Sequence, residues 1–188
     1  MLYKEEKDLI YTVDVRQKDG YLNLDFGADC GKHQRDLEMV KDAMVRIVDK
    51  YKNVTFFCVG FDPQLWDHKK IKVVTNWANI LDYPKFMAKF SFDIGIAPLR
   101  DNFFNRAKSN LRWLEYSALG IPCVASNVEP MRCINDGVDG FLANDEKEFE
   151  EKLSTLIENE SYRIKMGSNA YNRVKKDFNV TKVGADYV

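Results

Sequence analysis

Residues 92–126, "FDIGIAPLRDNFFNRAKSNLRWLEYSALGIPCVAS", contain one strand–helix–strand unit. The apolar run 92–99 is typical of a strand that is buried on both faces of a sheet. Apolar residues at helical spacing then predict a helix over about 107–119, which Gly120 ends. A second apolar run, 121–126, follows at once. Two buried strands joined by a helix form a parallel pair, so this stretch predicts the α/β class.

The same alternation continues on both sides of this unit. Further strands are predicted over 21–26, 54–60 and 71–77, and further helices over 36–51, 83–90, 129–136, 145–158 and 160–177. Strands that alternate with helices favour a Rossmann-like open parallel sheet flanked by helices. The stretch "LIYTVDV" (9–15) is compatible with one more strand, paired with 21–26.

Length and charge limit the classes of function. The chain has 188 residues, enough for one large α/β unit, and 45% of them are hydrophobic. We expect an N-terminal extension or interdomain segment (1–20), one Rossmann-like domain (21–178) and a truncated C-terminal tail (179–188). The formal net charge of −1 gives no general attraction to nucleic acid.

The cysteines indicate a reducing compartment. Cys58 and Cys123 lie inside apolar runs and are expected to be core thiols. The four cysteines form no C-x-x-C pair, and the chain has only two histidines, so no zinc site is predicted. No apolar run approaches the roughly 20 residues of a membrane span. We therefore expect a cytoplasmic protein.

Ligands of open parallel sheets bind beyond the carboxyl ends of the strands. The connections expected to leave from that edge are 27–35, 60–67, 77–82, 99–107 and 126–129. The first of them, "GADCGKHQRD", offers Gly27, where the backbone can approach a ligand closely, and the cations Lys32 and His33 before a helix. These features suit a diphosphate. The alternative is a solvated loop with Asp36 as the helix N-cap.

Arg106 and Lys108 stand at the predicted start of the 107–119 helix, where cations oppose the helix dipole unless an anion intervenes. A diphosphate is such an anion. Hydrogen-bonding side chains follow the two cations, namely Ser109 and Asn110. The alternatives are ion pairs with Asp101, or a solvated Lys108–Arg112 pair.

Glu115 lies at the edge of the apolar stripe of the same helix, on the side that Lys108 and Arg112 are expected to share. A half-buried carboxylate needs hydrogen-bond donors, and sugar hydroxyls supply them. The alternative is a surface ion pair with Arg112. Two aromatic residues, Phe61 and Trp77, follow neighbouring strands and either flank a nucleotide base or belong to the core or its rim.

Several common motifs are absent. The chain has no G-x-G-x-x-G, no G-x-x-x-x-G-K-[ST] and no G-x-S-x-G. It also lacks the D-x-D pair of metal-dependent sugar transferases. We therefore expect neither a metal nor a cofactor.

Three features together are distinctive: the run from Glu115 through "ALGIPCVAS" to "DGVDGFL", the early loop followed by "VTFFCVG", and the closing pair of helices. Through them the sequence over about 21–178 resembles the C-terminal, nucleotide-sugar-binding domain of GT-B-fold glycosyltransferases, in the large retaining group called family 4. The resemblance implies the C-terminal half of a GT-B fold.

The resemblance also implies roles for individual residues. In that family the second Glu of a Glu–seven residues–Glu motif binds the ribose, and Glu115 matches it. The first Glu contacts the donor sugar, but its position is Ala107 here. The Arg and Lys that hold the diphosphate fall at Ala28 and His33. The cations expected to compensate are Arg106, Lys108 and Lys32.

The activity implied by the resemblance is metal-independent transfer of a hexosyl group from a nucleotide diphospho-sugar, in polysaccharide biosynthesis. GT-B enzymes need two such domains. We therefore expect the chain to be the donor-binding half of a longer enzyme and to be inactive alone. The missing N-terminal half is expected to bind the acceptor, at a membrane surface.

Two other hypotheses remain. The losses at Ala28 and Ala107 fit a non-catalytic module that binds a nucleotide or a sugar phosphate. A receiver-type interaction domain needs a phosphoacceptor Asp beside an acidic cluster at a strand end, and no strand end in the sequence offers that arrangement.

Overall fold

The computed structural model describes residues 22–27, 34–59, 67–74 and 82–178. Its strands form one parallel sheet in the order β3-β2-β1-β4-β5-β6. The strands are β1 (Leu22–Gly27), β2 (Val54–Val59), β3 (Ile71–Val74), β4 (Ile94–Ala97), β5 (Cys123–Ser126) and β6 (Phe141–Ala143). The predicted Rossmann-like class is therefore confirmed.

Helices cover both faces of this sheet. They are α1 (Gln34–Glu38), α2 (Lys41–Lys50), α3 (Tyr83–Ala88), α4 (Phe103–Arg106), α5 (Leu111–Ala118), α6 (Glu146–Glu158) and α7 (Glu160–Asp177). Three of them begin at polar caps, since Asn102 accepts from the Asn105 N–H, Asp145 from the Glu148 N–H and Asn159 from the Tyr162 N–H. Among the described helices, none is long and apolar enough to cross a membrane.

The core lies in two layers, one on each face of the sheet. In the first layer, alternate strand residues such as Leu24 and Phe56 pack against α2 and α6. In the second, α3 and α5 cover the other face, with Trp113 and Tyr116 of α5 fully buried. The last helix, α7, crosses between the layers: its Met166 belongs to the first core.

Glycines set the closest approaches in this packing. A Cβ built on Gly95 of β4 meets the Tyr116 ring at 2.5 Å, so only glycine lets that ring lie against the strand. A Cβ on Gly167 of α7 meets the Gly120 carbonyl oxygen at 2.0 Å. The backbones of α7 and the end of α5 are therefore in direct contact.

Several element predictions are confirmed, the closing helices to within one residue. Three helix predictions are wrong. The helix predicted over 36–51 is two helices, broken at residues 39–40. The helix predicted over 107–119 begins only at Leu111, and a separate short helix, α4, precedes the predicted range. The Asn102 side chain accepts from the Asn105 N–H and starts α4 early, and Ser109 and Asn110 favour a turn before α5.

The third helix, predicted over 129–136, is only a 3₁₀ turn at Glu129–Met131. The three-residue strand β6 was missed, because its run is too short to show a period. The predicted strand at 9–15 and the end of the strand over 71–77 lie outside the described residues.

Candidate functional site

The strand order reverses between β1 and β4, which lie side by side at the centre of the sheet. Connections that leave such a pair diverge to opposite faces and open a crevice at the carboxyl edge. On the β4 side, the described connection runs through α4 to the start of α5. Its first residues are fixed to the sheet, because the Leu99 N–H donates to the buried Ser126 Oγ at 2.8 Å.

Asp36 of α1 joins the two sides of this crevice. Its carboxylate is buried, and its Oδ1 accepts from the Arg100 N–H and from Asn105 Nδ2, each at 2.9 Å. The same Asn105 amide donates to the Arg100 carbonyl at 2.9 Å. The alternative that made Asp36 the helix N-cap is wrong, because Asp36 lies inside α1 and serves a tertiary network instead.

Lys108 approaches this network from the link between α4 and α5. Its Nζ lies 3.6 Å from Asp36 Oδ2 and 5.1 Å from the centre of the Phe104 ring. Burial lowers the pKa of Lys108, and the Asp36 charge opposes that shift. Only 21% of the Lys108 side chain is exposed, so the cation lies in a largely enclosed environment.

The other cation predicted here, Arg106, lies in a different setting. Its guanidinium is exposed and pairs with Asp101 at 2.6 and 2.9 Å, as one alternative reading of the sequence held. Asp101 raises the pKa of Arg106, chiefly through these hydrogen bonds. Arg106 ends α4 and does not stand at the start of α5.

The residues between the two helices do not follow the predicted helix. Ser109 is exposed and precedes α5, and Asn110 occupies the N-cap position without a capping hydrogen bond from its side chain. Asn110 Nδ2 contacts Cys133 Sγ at 3.2 Å. Because Lys108 is outside α5, the predicted alignment of Lys108 with Arg112 and Glu115 on one helix face is wrong.

Glu115 lies in the middle of α5 with 25% of its side chain exposed. Its Oε2 is buried and receives no hydrogen bond from any described residue. Arg112 Nη1 lies 2.9 Å from this oxygen, but at an angle that makes no hydrogen bond, and it donates at 2.6 Å to the Tyr83 hydroxyl of α3. Burial raises the pKa of Glu115, and Arg112 opposes the shift.

Sequence reasoning missed three residues of this edge: Asp36 as a network centre, Asn105 and Tyr83. Each acts across the fold, and the Asp36–Asn105 contact joins positions 69 residues apart. Local spacing gave no signal for them.

The structure describes only one of the remaining predicted site residues. Gly27 is the last residue of β1, at the carboxyl edge of the sheet, where it pairs with Val59. The others lie outside the described residues: Ala28, Lys32, His33, Phe61 and Trp77. In the part of the chain that is described, no group of three His, Cys, Asp or Glu side chains is arranged to hold a metal.

A family model matches this chain over most of its length. The model is that of glycosyl transferases group 1, and it covers residues 27–159. The chain belongs to this family. The match spans both sides of the crevice described above, from the end of β1 to the end of α6. No curated protein matches significantly.

Solved structures share the fold at low identity. The C-terminal domain of the group 1 glycosyl transferase LpcC from Francisella tularensis is 20% identical, with a TM-score of 0.67, and the match covers 85% of this chain and 87% of that domain. HepE from Anabaena, in complex with UDP and glucose, is 16% identical with a TM-score of 0.70 and 89% of this chain covered.

TarM from S. aureus, in complex with UDP among other ligands, is 13% identical with a TM-score of 0.70 and 93% of this chain covered. This chain spans 47% of the HepE chain and 37% of the TarM chain. The fold of this chain is thus that of the C-terminal domain of GT-B glycosyltransferases.

Proposed function

We propose that this chain is the donor-binding domain of a retaining glycosyltransferase that moves a hexosyl group from a nucleotide diphospho-sugar without a bound metal. The observation that carries the proposal is Glu115, whose side chain is 25% exposed at this edge while one carboxylate oxygen, Oε2, is buried beside Arg112. A carboxylate that is largely buried needs hydrogen-bond donors, and the two hydroxyls of a ribose would supply them to its exposed part.

The proposed role of the crevice is electrostatic. Lys108 and the N-terminal end of the α5 dipole provide positive charge where a departing diphosphate would gain negative charge. Glu115 would hold the ribose and so fix the donor relative to these groups. As the glycosidic bond breaks, the diphosphate keeps the bonding electron pair and the sugar becomes oxocarbenium-like. Ser109 and Asn110 lie beside Lys108 and are assigned to the donor sugar or the diphosphate.

The proposal extends to the rest of the enzyme. The chain spans 47% of HepE and 37% of TarM, whose structures hold UDP. We assign the acceptor to a further N-terminal domain, at a membrane surface, and expect the isolated chain to transfer little sugar. Cytoplasmic location and a part in polysaccharide biosynthesis belong to the same proposal.

A second candidate is a non-catalytic nucleotide-binding module. Ala107 favours it, because this exposed residue at the end of α4 stands where the family resemblance expects a carboxylate for the donor sugar. Transfer or hydrolysis of a nucleotide sugar by the chain joined to an acceptor-binding domain would reject this candidate.

The test is calorimetric titration of the chain with a panel of nucleoside diphosphates and nucleotide sugars, beginning with UDP and UDP-glucose. Glu115→Gln should weaken the best ligand by at least about tenfold, since two charge-assisted hydrogen bonds to the ribose become neutral. Glu129→Gln is the matched control, because the exposed Glu129 pairs with Arg132 at the same spacing and the same 2.9 Å. Equal binding by wild type and Glu115→Gln would remove the proposal.

A further inference from the structure

The Asp36 carboxylate is a buried charge held by neutral donors on one oxygen. Oδ1 accepts from the Arg100 N–H and the Asn105 amide, and the side chain of Asp36 is only 5% exposed. Neutral donors orient a carboxylate but do not neutralise it, and a buried charge needs an opposite charge close by. Lys108, at 3.6 Å from Oδ2, supplies that charge.

The contact crosses the crevice. Asp36 belongs to α1, on the β1 side, whereas Lys108 belongs to the link between α4 and α5, on the β4 side. The Asn105 amide adds a second tie, because it bonds both Asp36 and the Arg100 carbonyl. The position of Lys108 is therefore fixed from the opposite wall of the crevice as well as by its own backbone.

The Arg106–Asp101 ion pair on the same connection is a typical surface pair and serves as a comparison. Its members are five residues apart and are 60% and 57% exposed. Such pairs are screened by solvent and contribute little. The Lys108–Asp36 pair joins distant elements, and its members are 21% and 5% exposed.

We infer that Asp36 is a positioning residue that holds the Lys108 ammonium in place for the diphosphate of the bound nucleotide. A lysine ammonium carries three donors, so contact with Asp36 is compatible with contact to a phosphate oxygen at the same time. This inference rests on the proposed function, because it assumes that a nucleotide occupies the crevice. It adds a residue that makes no contact with the ligand itself.

The test compares UDP with uridine, its nucleoside, by calorimetry on the whole chain. Asp36→Asn keeps the Oδ1 acceptor for Arg100 and Asn105 but removes the charge that faces Lys108. We expect UDP to bind roughly tenfold more weakly, a value within the range for coupled neighbours, and uridine to bind within about twofold of wild type. Asp101→Asn, which breaks the exposed pair on the same connection, is the control and should leave both affinities unchanged.

A double-mutant cycle separates positioning from general damage. In a Lys108→Met background, Asp36→Asn should cause no further loss of UDP affinity, since its effect passes through Lys108. Additive losses, an equal loss for uridine, or unchanged UDP affinity in Asp36→Asn would each overturn the inference. If the wild-type chain binds no member of the nucleotide panel, the proposed function fails first and the inference falls with it.

A second measurement tests the inference on the wild-type chain, for the case in which the Asp36→Asn chain does not fold. In the wild-type chain, the Lys108 ammonium resonance, assigned by its loss in Lys108→Arg, should shift on addition of UDP and stay in place with uridine. A resonance that UDP leaves unmoved would overturn the inference without any change at Asp36.

Discussion

The two ends of α5 differ in how tightly they are packed. At its C-terminal end the Gly120 carbonyl touches Gly167 of α7, with no room for a single methyl group between them. From its start to its middle, the helix carries polar groups that protein partners match only in part, including the Glu115 carboxylate. The C-terminal end is packed to the limit of backbone contact, whereas the part up to Glu115 keeps hydrogen-bonding capacity. The contrast teaches that α5 is anchored at the amino edge of the sheet and chemically available toward the carboxyl edge.

The strongest test of the anchored end is Gly167→Ala. The added Cβ would lie 2.0 Å from the Gly120 carbonyl oxygen and 3.2 Å from Pro122, so the α5 and α7 backbones must separate. We expect a loss of about 3 kcal/mol or more in the free energy of unfolding, at or above the upper end of overpacking costs. Urea denaturation measures it. Ser168→Ala, at the exposed neighbouring position, is the control, and a Gly167→Ala chain as stable as that control would contradict the described contact.

Gly95→Ala tests the middle of the same helix. Its Cβ would meet the Tyr116 ring at 2.5 Å, but a side chain can yield more than a backbone. We therefore expect a smaller loss of about 1–3 kcal/mol by urea denaturation. Combined with Tyr116→Leu, the loss should be less than the sum of the two single losses, because the clash is removed. If the two losses in free energy of unfolding were strictly additive, the predicted clash between residue 95 and the Tyr116 ring would be contradicted.

The smallest effect is expected at Glu115, as a pH dependence of the free energy of unfolding. Burial raises the pKa of Glu115 above its value in the unfolded chain, so its protonated form is favoured on folding. The contribution of this group to stability is therefore fully present below the unfolded pKa, about 4.3, and is lost as the pH rises through the folded pKa. Relative to Glu115→Gln, the wild-type chain should lose stability as the pH rises above about 4.3, because the folded pKa lies above that value.

Thermal unfolding at several pH values measures this slope. Glu129→Gln is again the matched control, because its exposed carboxylate is held by an arginine at the same spacing. The comparison with Glu129→Gln shows how much of the measured slope comes from removing any one carboxylate of the chain. A slope of the opposite sign at Glu115 would mean that the Arg112 charge outweighs burial.

The anchored and available ends also differ in how far sequence alone could predict them. Buried strands and the long helices α6 and α7 carry strong periodic patterns, and these elements were predicted closely. The region that begins at Asn102 was not, because side-chain hydrogen bonds from asparagine compete with the helix and create α4. The partial burial of Glu115 follows from its place beside the apolar stripe of its own helix, and its role in binding stays a prediction.

The partners of the site residues escaped prediction for a different reason. The sequence predicts Lys108 as a cation at the start of a helix. In the structure its environment is set by Asp36, which belongs to α1. Likewise, Tyr83 reaches Arg112 from α3, a separate helix on the same face of the sheet. Such contacts depend on how the sheet folds the chain back on itself, and a local pattern carries no information about them.

The crossing of α7 between the two cores has a practical consequence for protein engineering. Met166 belongs to one core, whereas Val174 and Phe178 pack against the other, and the Phe178 ring meets Trp113 edge-on at 5.7 Å. A chimera that joins this domain to a different partner domain must therefore carry α7 through Phe178. A junction placed earlier in the helix would remove the Phe178 ring from Trp113. It would thereby expose part of the core that packs against α5, the helix that carries Glu115.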